Sequence, residues 1–289
     1  MNPKYVVDYL KKGYAIIREV FTIQEINEIS VAIDLIKSEG LKYESSFRHQ
    51  NLVYLIQNDS KLGKILRFCH WPSYINNTLE KFRTDLRILD LLKPLIGNNL
   101  KQVSNQIIWK TPGSDQTSYG YHQDSRFRRP ASEYRNLGDS LVQTTLAIDK
   151  HTLKSGCLTF IERSHLLGEL NYYTKGKSVF EENIKDKALE ILGVSHLPKI
   201  NILLEPGDFA IWHPYLLHGS GPNTSTHDRR TFTNAYVTAE NSNRGEWAFK
   251  NGQPVSLAEP VLIQYEDLYT RPEPHYINGS PYAFKENTK

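Results

Sequence analysis

Two segments of the sequence carry histidine and carboxylate side chains at a spacing that suits metal binding. YHQDSRFRRP holds His122 and Asp124 two positions apart, and a later segment holds His218, 96 residues after His122. In an extended strand, alternate residues point to the same face, so His122 and Asp124 can both reach one ion. Two imidazoles and one carboxylate bind non-heme Fe(II) and leave coordination positions open for other ligands. The alternative is that His-Gln-Asp is an ordinary polar turn, and the tripeptide alone does not decide.

Short, punctuated strands are predicted around these residues. After Gly97, six segments rich in β-branched or aromatic residues are separated by turns: QVSNQIIWK, SLVQTTLAID, GCLTFIE, INILLEP, FAIWH and RTFTNAYVTA. This pattern predicts an antiparallel sandwich or a jelly-roll barrel. His218 follows FAIWH and precedes Gly-Ser-Gly-Pro, which predicts a strand terminus that bends into a loop.

The N-terminal part of the chain is predicted to be helical. In TIQEINEISVAIDLIKSEG, Thr22 and Glu25 form a capping box. Apolar residues then follow at helical spacing: Ile26, Ile29, Ile33 and Ile36. A second helical region is predicted from near Pro72 to about Lys93, where Pro94 should stop it. Helices followed by strands predict an α+β protein with a mainly β core, buttressed by N-terminal helices.

The chain shows no internal repeat and no linker rich in proline, glycine or serine. We therefore expect a single domain over residues 1–289. Within it we expect a helical buttress over about 1–97, a jelly-roll core over about 98–240 and a C-terminal extension over about 241–289.

The composition narrows the class of protein and its partners. The 35 basic and 32 acidic residues give a net charge of +3, which does not suggest a nucleic-acid partner. The two cysteines, Cys69 and Cys157, are far apart, which fits a reducing compartment and excludes a cysteine-rich zinc site. No apolar run approaches the roughly 18 residues of a membrane span, and charges interrupt the first residues. These features predict a cytoplasmic protein without a membrane partner; the oligomeric state is left open.

Further motifs accompany the HxD pair, in a fixed order. Ser155-Gly156-Cys157-Leu158 and Glu162-Arg163-Ser164-His165 lie in LAIDKHTLKSGCLTFIERSHLLGEL, and HGSGPNTS is followed by Arg229. The opening DYLKKGYAIIREVFTIQEINEI has a helix-strand-helix pattern. Over roughly residues 5 to 240 the chain resembles the phytanoyl-CoA dioxygenase family of Fe(II)- and 2-oxoglutarate-dependent oxygenases.

The resemblance implies a fold and a role for several residues. The fold would be a double-stranded β-helix, the cupin-like jelly roll. His122, Asp124 and His218 would bind the iron, which would also be their catalytic role. Arg229 would pair with the distal carboxylate of 2-oxoglutarate, and Ser220 would donate a hydroxyl to it. The neighbouring Arg230 is the alternative to Arg229, because only one of two adjacent strand residues can face the site.

The implied reaction consumes 2-oxoglutarate and O₂ and releases succinate and CO₂ while a small molecule is hydroxylated. Halogenating relatives replace the carboxylate ligand with a small residue, so the intact Asp124 favours hydroxylation. Thr144 and Thr145 stand where relatives often place a bulky aromatic residue, which predicts a pocket of different size. Two alternatives remain: a non-catalytic jelly-roll protein that binds a metal or ligand, and a zinc hydrolase that uses the same triad.

The basic residues near the HxD pair are candidates for substrate binding. Arg126, Arg128 and Arg129 follow the pair directly, and Lys110 precedes a Thr-Pro-Gly turn. A basic run is usually a solvated loop, but one of these cations could instead meet an anionic substrate. The remaining histidines, His70 and His165 among them, are interpreted as structural or surface residues, and Trp109 and Trp212 as core residues.

Overall fold

The computed structural model of the chain describes residues 2–114, 117–170 and 186–260, and the short strand at 275–276. The helices are α1 (Lys4–Lys12), α2 (Ile23–Gly40), α3 (Asn77–Arg83), α4 (Leu86–Ile96), α5 (Leu137–Ser140) and α6 (Asp186–Ile191). The strands are β1 (Tyr14–Ile17), β2 (Phe47–His49), β3 (Leu52–Asp59), β4 (Gly63–His70), β5 (Leu100–Lys110), β6 (Tyr119–His122), β7 (Leu141–Ala147), β8 (Leu158–Ile161), β9 (Lys199–Ile202), β10 (Phe209–Trp212), β11 (His218–Ser220), β12 (Arg229–Thr238), β13 (Glu246–Lys250), β14 (Gln253–Pro254) and β15 (His275–Tyr276).

The strands form two antiparallel sheets, as the jelly-roll prediction requires. The major sheet has the order β1-β10-β7-β12-β5-β4-β3-β2-β15, with β13 paired to β5 and β14 to β13. The minor sheet has the order β6-β11-β8-β9. A cavity lies between the sheets, lined by β4, β5, β7, β10 and β12 on one side and by β6, β8 and β11 on the other.

Strand β12 shows that one face of the major sheet lines the cavity and the other packs into the apolar core. Arg229, Thr231 and Thr233 face the cavity, whereas Phe232 and Tyr236 belong to the main apolar core. This is the alternation expected of a strand. It explains why nearly every residue of β12 is buried and why the sequence of this strand shows no clean apolar-polar pattern.

The N-terminal helices cover the outer face of the major sheet. The apolar side of α2 is buried as predicted, and it packs in one cluster with α3, α4 and the outward-facing residues of the sheet. Burying each isoleucine of this face contributes about 1.5–3 kcal/mol. The Thr22 hydroxyl accepts a bond from the Glu25 amide and the Glu25 carboxylate accepts one from the Thr22 amide, which confirms the capping box. The helices therefore buttress the sheet from the side opposite the cavity.

Three details of the predicted helical region are wrong. Strands β2, β3 and β4 lie within the first 97 residues and extend the major sheet. The segment after Pro72 is broken into a 3₁₀ turn, α3 and α4, because Asp85 caps a new helix through its bond from the Arg87 amide. Pro94 does not stop the chain from being helical: it lies inside α4, which ends at Ile96 before Gly97.

The six strands predicted after Gly97 are confirmed as β5, β7, β8, β9, β10 and β12. Both cysteines are buried and free. The predicted C-terminal extension is described up to residue 260 and at β15, and its other residues lie outside the described part of the chain. Among the described helices, none combines the length and the apolar character that crossing a membrane requires.

Candidate active site

The two candidate histidines face each other across adjacent strands. In the antiparallel pair β6 and β11, His122 is the register partner of His218, although 96 residues separate them in the chain. On its other side β11 pairs with β8, where His218 lies opposite Phe160. Strand β11 is thus held by hydrogen bonds on both edges, which fixes the position of His218.

Asp124 reaches the same point although it lies just beyond the strand. Strand β6 ends at His122, Gln123 remains extended, and Asp124 begins a 3₁₀ turn. The Gln123 side chain points the opposite way, where it donates to the Gly168 and Tyr215 carbonyls. Because Gln123 is extended, the two-residue alternation carries over to Asp124, and its carboxylate faces the histidines.

The three side chains converge on one small volume. Asp124 Oδ2 lies 3.3 Å from His218 Nε2, and Asp124 Oδ1 lies 3.8 Å from His122 Nε2. One ligand atom from each residue can be chosen so that all three lie within 4.8 Å of one another. Among the described residues, this is the one group of three or more such side chains that could hold a metal ion.

Backbone carbonyls fix the orientation of both imidazoles. His122 Nδ1 donates to the Gly120 carbonyl at 2.8 Å, and His218 Nδ1 donates to the Leu216 carbonyl at 2.9 Å. A carbonyl can only accept, so each Nδ1 carries the proton and each Nε2 offers a lone pair toward Asp124. Burial, and the neighbouring His218, lower the pKa of His122 to about 4, which keeps this imidazole neutral and able to bind a metal at neutral pH.

Trp212 is a site residue that the sequence interpretation assigned to the core. Its indole Nε1 donates to Asp124 Oδ2 at 2.8 Å, and its ring packs against Phe160 and His218. The bond joins β10 of the major sheet to the turn after β6. No signal in the sequence reveals this bond. Trp212 lies 88 positions from Asp124, and its residue type predicts a place in the core whichever group its N–H contacts.

The cavity beside the triad has room for small molecules. Its volume of about 120 Å³ is many times the roughly 10–15 Å³ that one water needs. It is lined mostly by apolar and uncharged polar side chains, including Phe68, Phe127, Leu158, Gln143 and Thr145. Thr145 lies in the cavity wall, where a bulky aromatic residue would take up space.

Arg229 and Ser220 are both buried in the wall of this cavity. Arg229 donates to the Gly156 carbonyl, while its Nε and the Ser220 hydroxyl have no hydrogen-bond partner. Burial lowers the pKa of Arg229 to about 10, which still leaves it cationic at neutral pH. Two buried donors without partners in the wall of one cavity are suited to an anion.

Arg230 is directed away from the cavity, as strand alternation predicts for one member of the pair. It forms a salt bridge with Asp149 at 2.8 Å and a second with Asp34 at 2.9 Å. Its guanidinium therefore links β12 to α2 on the outer face.

Lys110 lies near Arg229 rather than in the cavity wall. It is the register partner of Arg229 on β5, and its Nζ donates to the Gly221 carbonyl. Burial, followed by the charges of Arg229 and Arg67, lowers the pKa of Lys110 to about 5. The structure thus places this lysine beside Arg229 and outside the set of residues that line the cavity.

The three arginines after the HxD pair have different environments. Arg128 is buried and lines the cavity. Arg129 is partly exposed and lies 3.7 Å from Glu169, and the Arg126 guanidinium lies over the Phe127 ring. Neither is among the cavity-lining residues.

His70, which was interpreted as a structural or surface residue, also lies in the cavity wall. His165 contacts the Leu10 carbonyl, as expected of a structural residue.

Residues 9–231 match the family model described as phytanoyl-CoA dioxygenase. The chain belongs to the phytanoyl-CoA dioxygenase family. It is 25% identical over 248 residues to a probable alpha-ketoglutarate-dependent hypophosphite dioxygenase of Stutzerimonas stutzeri, covering 81% of this chain and 77% of that protein. It is 26% identical over 245 residues to a probable phytanoyl-CoA dioxygenase of Caenorhabditis elegans, covering 79% and 73%.

Solved structures show the same fold. The epimerase SnoN, crystallised with Fe³⁺, alpha ketoglutarate and nogalamycin RO, has a TM-score of 0.61 at 20% identity, covering 89% of this chain and 92% of that one. The member of the phytanoyl-CoA dioxygenase family described here is thus a non-heme iron enzyme that depends on 2-oxoglutarate, also called alpha-ketoglutarate. Family membership favours the oxygenase over the non-catalytic protein and the zinc hydrolase.

Proposed function

We propose that this enzyme hydroxylates a small-molecule substrate with iron held by His122, Asp124 and His218, and that it releases succinate and CO₂. One observation carries the proposal: both histidines present Nε2 toward the Asp124 carboxylate, with the ligand atoms within 4.8 Å of one another. Two nitrogen donors and one carboxylate oxygen are the set that non-heme Fe(II) enzymes use.

The donor chemistry of the site supports this metal and this cosubstrate. Both imidazoles have their second nitrogen bound to a carbonyl, and the carboxylate is bound by Trp212, so all three ligands are held before any ion binds. The unsatisfied Arg229 Nε and Ser220 hydroxyl suit the distal carboxylate of 2-oxoglutarate, because a guanidinium can bind a carboxylate with two parallel bonds.

Each residue then has a definite task. His122, Asp124 and His218 bind and orient the metal, Arg229 and Ser220 anchor the cosubstrate, and the apolar walls keep water from the centre. Bound iron and 2-oxoglutarate supply the oxidising chemistry with O₂. Asp124 supports hydroxylation over halogenation, since its carboxylate occupies the position that a halide would need.

Anaerobic titration of the protein with Fe(II) and 2-oxoglutarate tests the metal site. We expect a weak charge-transfer band in the visible from the wild type and from His227→Ala, in which an exposed imidazole is removed. His122→Ala should give no such band, and it should not form succinate. A band that persists unchanged in His122→Ala, or no band in the wild type, would refute the proposed site.

A further inference from the structure

A second buried guanidinium lies at the end of the cavity away from Arg229. Arg229 is opposite Lys110 on β5, whereas Arg128 Nη1 lies 3.5 Å from the carbonyl of Val103, next to the cavity residue Ser104. From Lys110 to Ser104 is six residues of antiparallel strand, roughly 20 Å. The two arginines therefore mark opposite ends of one cavity, and a molecule as short as 2-oxoglutarate cannot occupy both.

Arg128 is buried without a counter-ion. Only 3% of its surface is exposed, its Nε has no hydrogen-bond partner, and within the described part of the chain no carboxylate is within ion-pair distance. Arg83 is also fully buried, but it is bound by Glu80, Gln102 and two backbone carbonyls. A buried charge is ordinarily paired because its desolvation is costly, so the unpaired guanidinium of Arg128 is suited to bind an anion.

The surroundings of Arg128 favour an anionic ligand of small size. Among the described residues that line the cavity, Asp124 is the one carboxylate, and it belongs to the metal site. Burial, and the charge of Arg128, lower the pKa of His70 to about 3, so this imidazole is neutral and leaves Arg128 as the cation at its end. Uncharged polar residues of the major sheet complete the wall: Ser104, Gln106, Gln143 and Thr233.

We infer that Arg128 binds a carboxylate or phosphonate group of the primary substrate. The inference rests on the proposed function, since the substrate must lie between Arg128 and the metal while 2-oxoglutarate occupies Arg229. The guanidinium fork pairs with either anion through two parallel bonds, which would fix the orientation of the substrate and the C–H group that it presents. The substrate class is thus a small organic acid with an apolar segment.

Calorimetric titration of the anaerobic Fe(II)–2-oxoglutarate complex tests this assignment. The probes are butyrate, propylphosphonate and the neutral butyramide, with 2-oxoglutarate saturating so that Arg229 is occupied. We expect the wild type to bind at least one of the two anions about tenfold or more tightly than the amide. Arg128→Met should lose this preference, and Arg129→Met, which alters an arginine outside the cavity wall, should keep it.

The melting temperature of the Arg128→Met variant distinguishes a ligand-binding role of Arg128 from a structural one. Removing an unpaired buried charge should leave the melting temperature of Arg128→Met without ligand unchanged or raised, whereas a structural arginine would lower it. If Arg128→Met does not fold, Arg128→Lys still tests the idea, because it keeps the charge but loses the fork. It should retain a reduced preference for the anion.

Two results would overturn the assignment: equal binding of the amide and both anions by the wild type, or undiminished anion binding by Arg128→Met. The charge-transfer band separates this failure from a failure of the proposed function. A normal band with no anion preference refutes the role of Arg128 alone. Absence of the band in the wild type refutes the iron site itself.

Discussion

One carboxylate oxygen of Asp124 accepts a hydrogen bond from Trp212, and the other faces His122. Its Oδ2 accepts the Trp212 indole bond at 2.8 Å, while Oδ1 faces His122 at 3.8 Å. A carboxylate fixed in this way cannot rotate freely between coordination modes. Under the proposed function, Trp212 would therefore be a positioning residue, which would act on the metal through Asp124.

Trp212→Phe should weaken iron binding by about 10- to 100-fold, because it removes the indole donor and keeps an aromatic ring. The affinity can be measured by titrating Fe(II) anaerobically and following the charge-transfer band. Trp109→Phe is the matched control, since the Trp109 indole is equally buried but its Nε1 has no partner. Equal affinities in the two variants would contradict the role of Trp212.

Arg229→Met should raise the KM for 2-oxoglutarate by about 30-fold or more, because truncating one member of a buried charge pair costs about 2–5 kcal/mol. Steady-state succinate formation measures it. Arg230→Met should leave this KM unchanged and instead lower stability by about 1–3 kcal/mol, as Asp149 loses its bonds. A reversed pattern would assign the cosubstrate to Arg230.

At the residue scale, the sequence indicates the proposed metal ligands more readily than the residues that support them. His122, Asp124 and His218 are identifiable because metal binding demands particular side-chain types at particular spacings. The roles of Trp212 and His70 depend on which atoms they meet in space, and neither their type nor their spacing indicates those atoms. Arg128 could be proposed from sequence only as one of three arginines, because burial alone separates it from Arg126 and Arg129.

Helix α4 contains Pro94, a residue type that ordinarily ends a helix. Pro94 has no N–H to bond the Asp90 carbonyl, and the Tyr5 hydroxyl of α1 donates to that carbonyl instead, at 3.3 Å. The apolar side of the helix, including Leu92 and Ile96, is buried against the sheet on both sides of the proline. Tertiary packing therefore outweighs the local penalty, which is why the predicted helix end at Lys93 was wrong.

Pro94→Ala should stabilise the protein by about 1–2 kcal/mol, less than the ~3 kcal/mol of a mid-helix proline, because Tyr5 already satisfies the carbonyl. Urea unfolding of the variant and the wild type would show the difference. Lys93→Ala, an exposed neighbour, should shift stability by no more than about 0.5 kcal/mol. Destabilisation by Pro94→Ala would mean that the proline fits a kink that the packing requires.

Strands β2 to β4 were missed for a reason that also lies in packing. The first five residues of β3 are all buried, so no apolar-polar alternation marks the strand. By contrast, α2 presents one apolar face and an intact capping box, and both its start and its buried side were predicted. An element buried on one side can be read from sequence far more easily than one buried on both.

For the molecule as a whole, the site spans the two sheets. The three proposed metal ligands lie on β6, on the turn after it and on β11, whereas Arg229 and Trp212 belong to the major sheet. A cosubstrate bound to the metal and to Arg229 would therefore connect the two layers. Ligand occupancy should thus stabilise the assembled jelly roll rather than a single loop.

Fe(II) and 2-oxoglutarate should each raise the free energy of unfolding by about 2.7 kcal/mol when present at 100 times their Kd, by mass action. Anaerobic thermal melts would record the shift, and a chelator should reverse it. Asp124→Ala should show no shift at the same concentrations. An equal gain in that variant would place the binding elsewhere on the protein.

Under the proposed function, the three-residue strand β11 would also set the length of cosubstrate that the site accepts. His218 and Ser220 face the same side, two residues or about 6.8 Å apart. Regular pairing with β8 holds this interval, whereas β6 places one extra residue opposite it. A keto acid with its reactive end at His218 and its far carboxylate at Ser220 must match that interval. Under the proposed function, pyruvate would fall short of that interval and the longer 2-oxoadipate would overrun it, so the backbone of β11 would select among keto acids by their length.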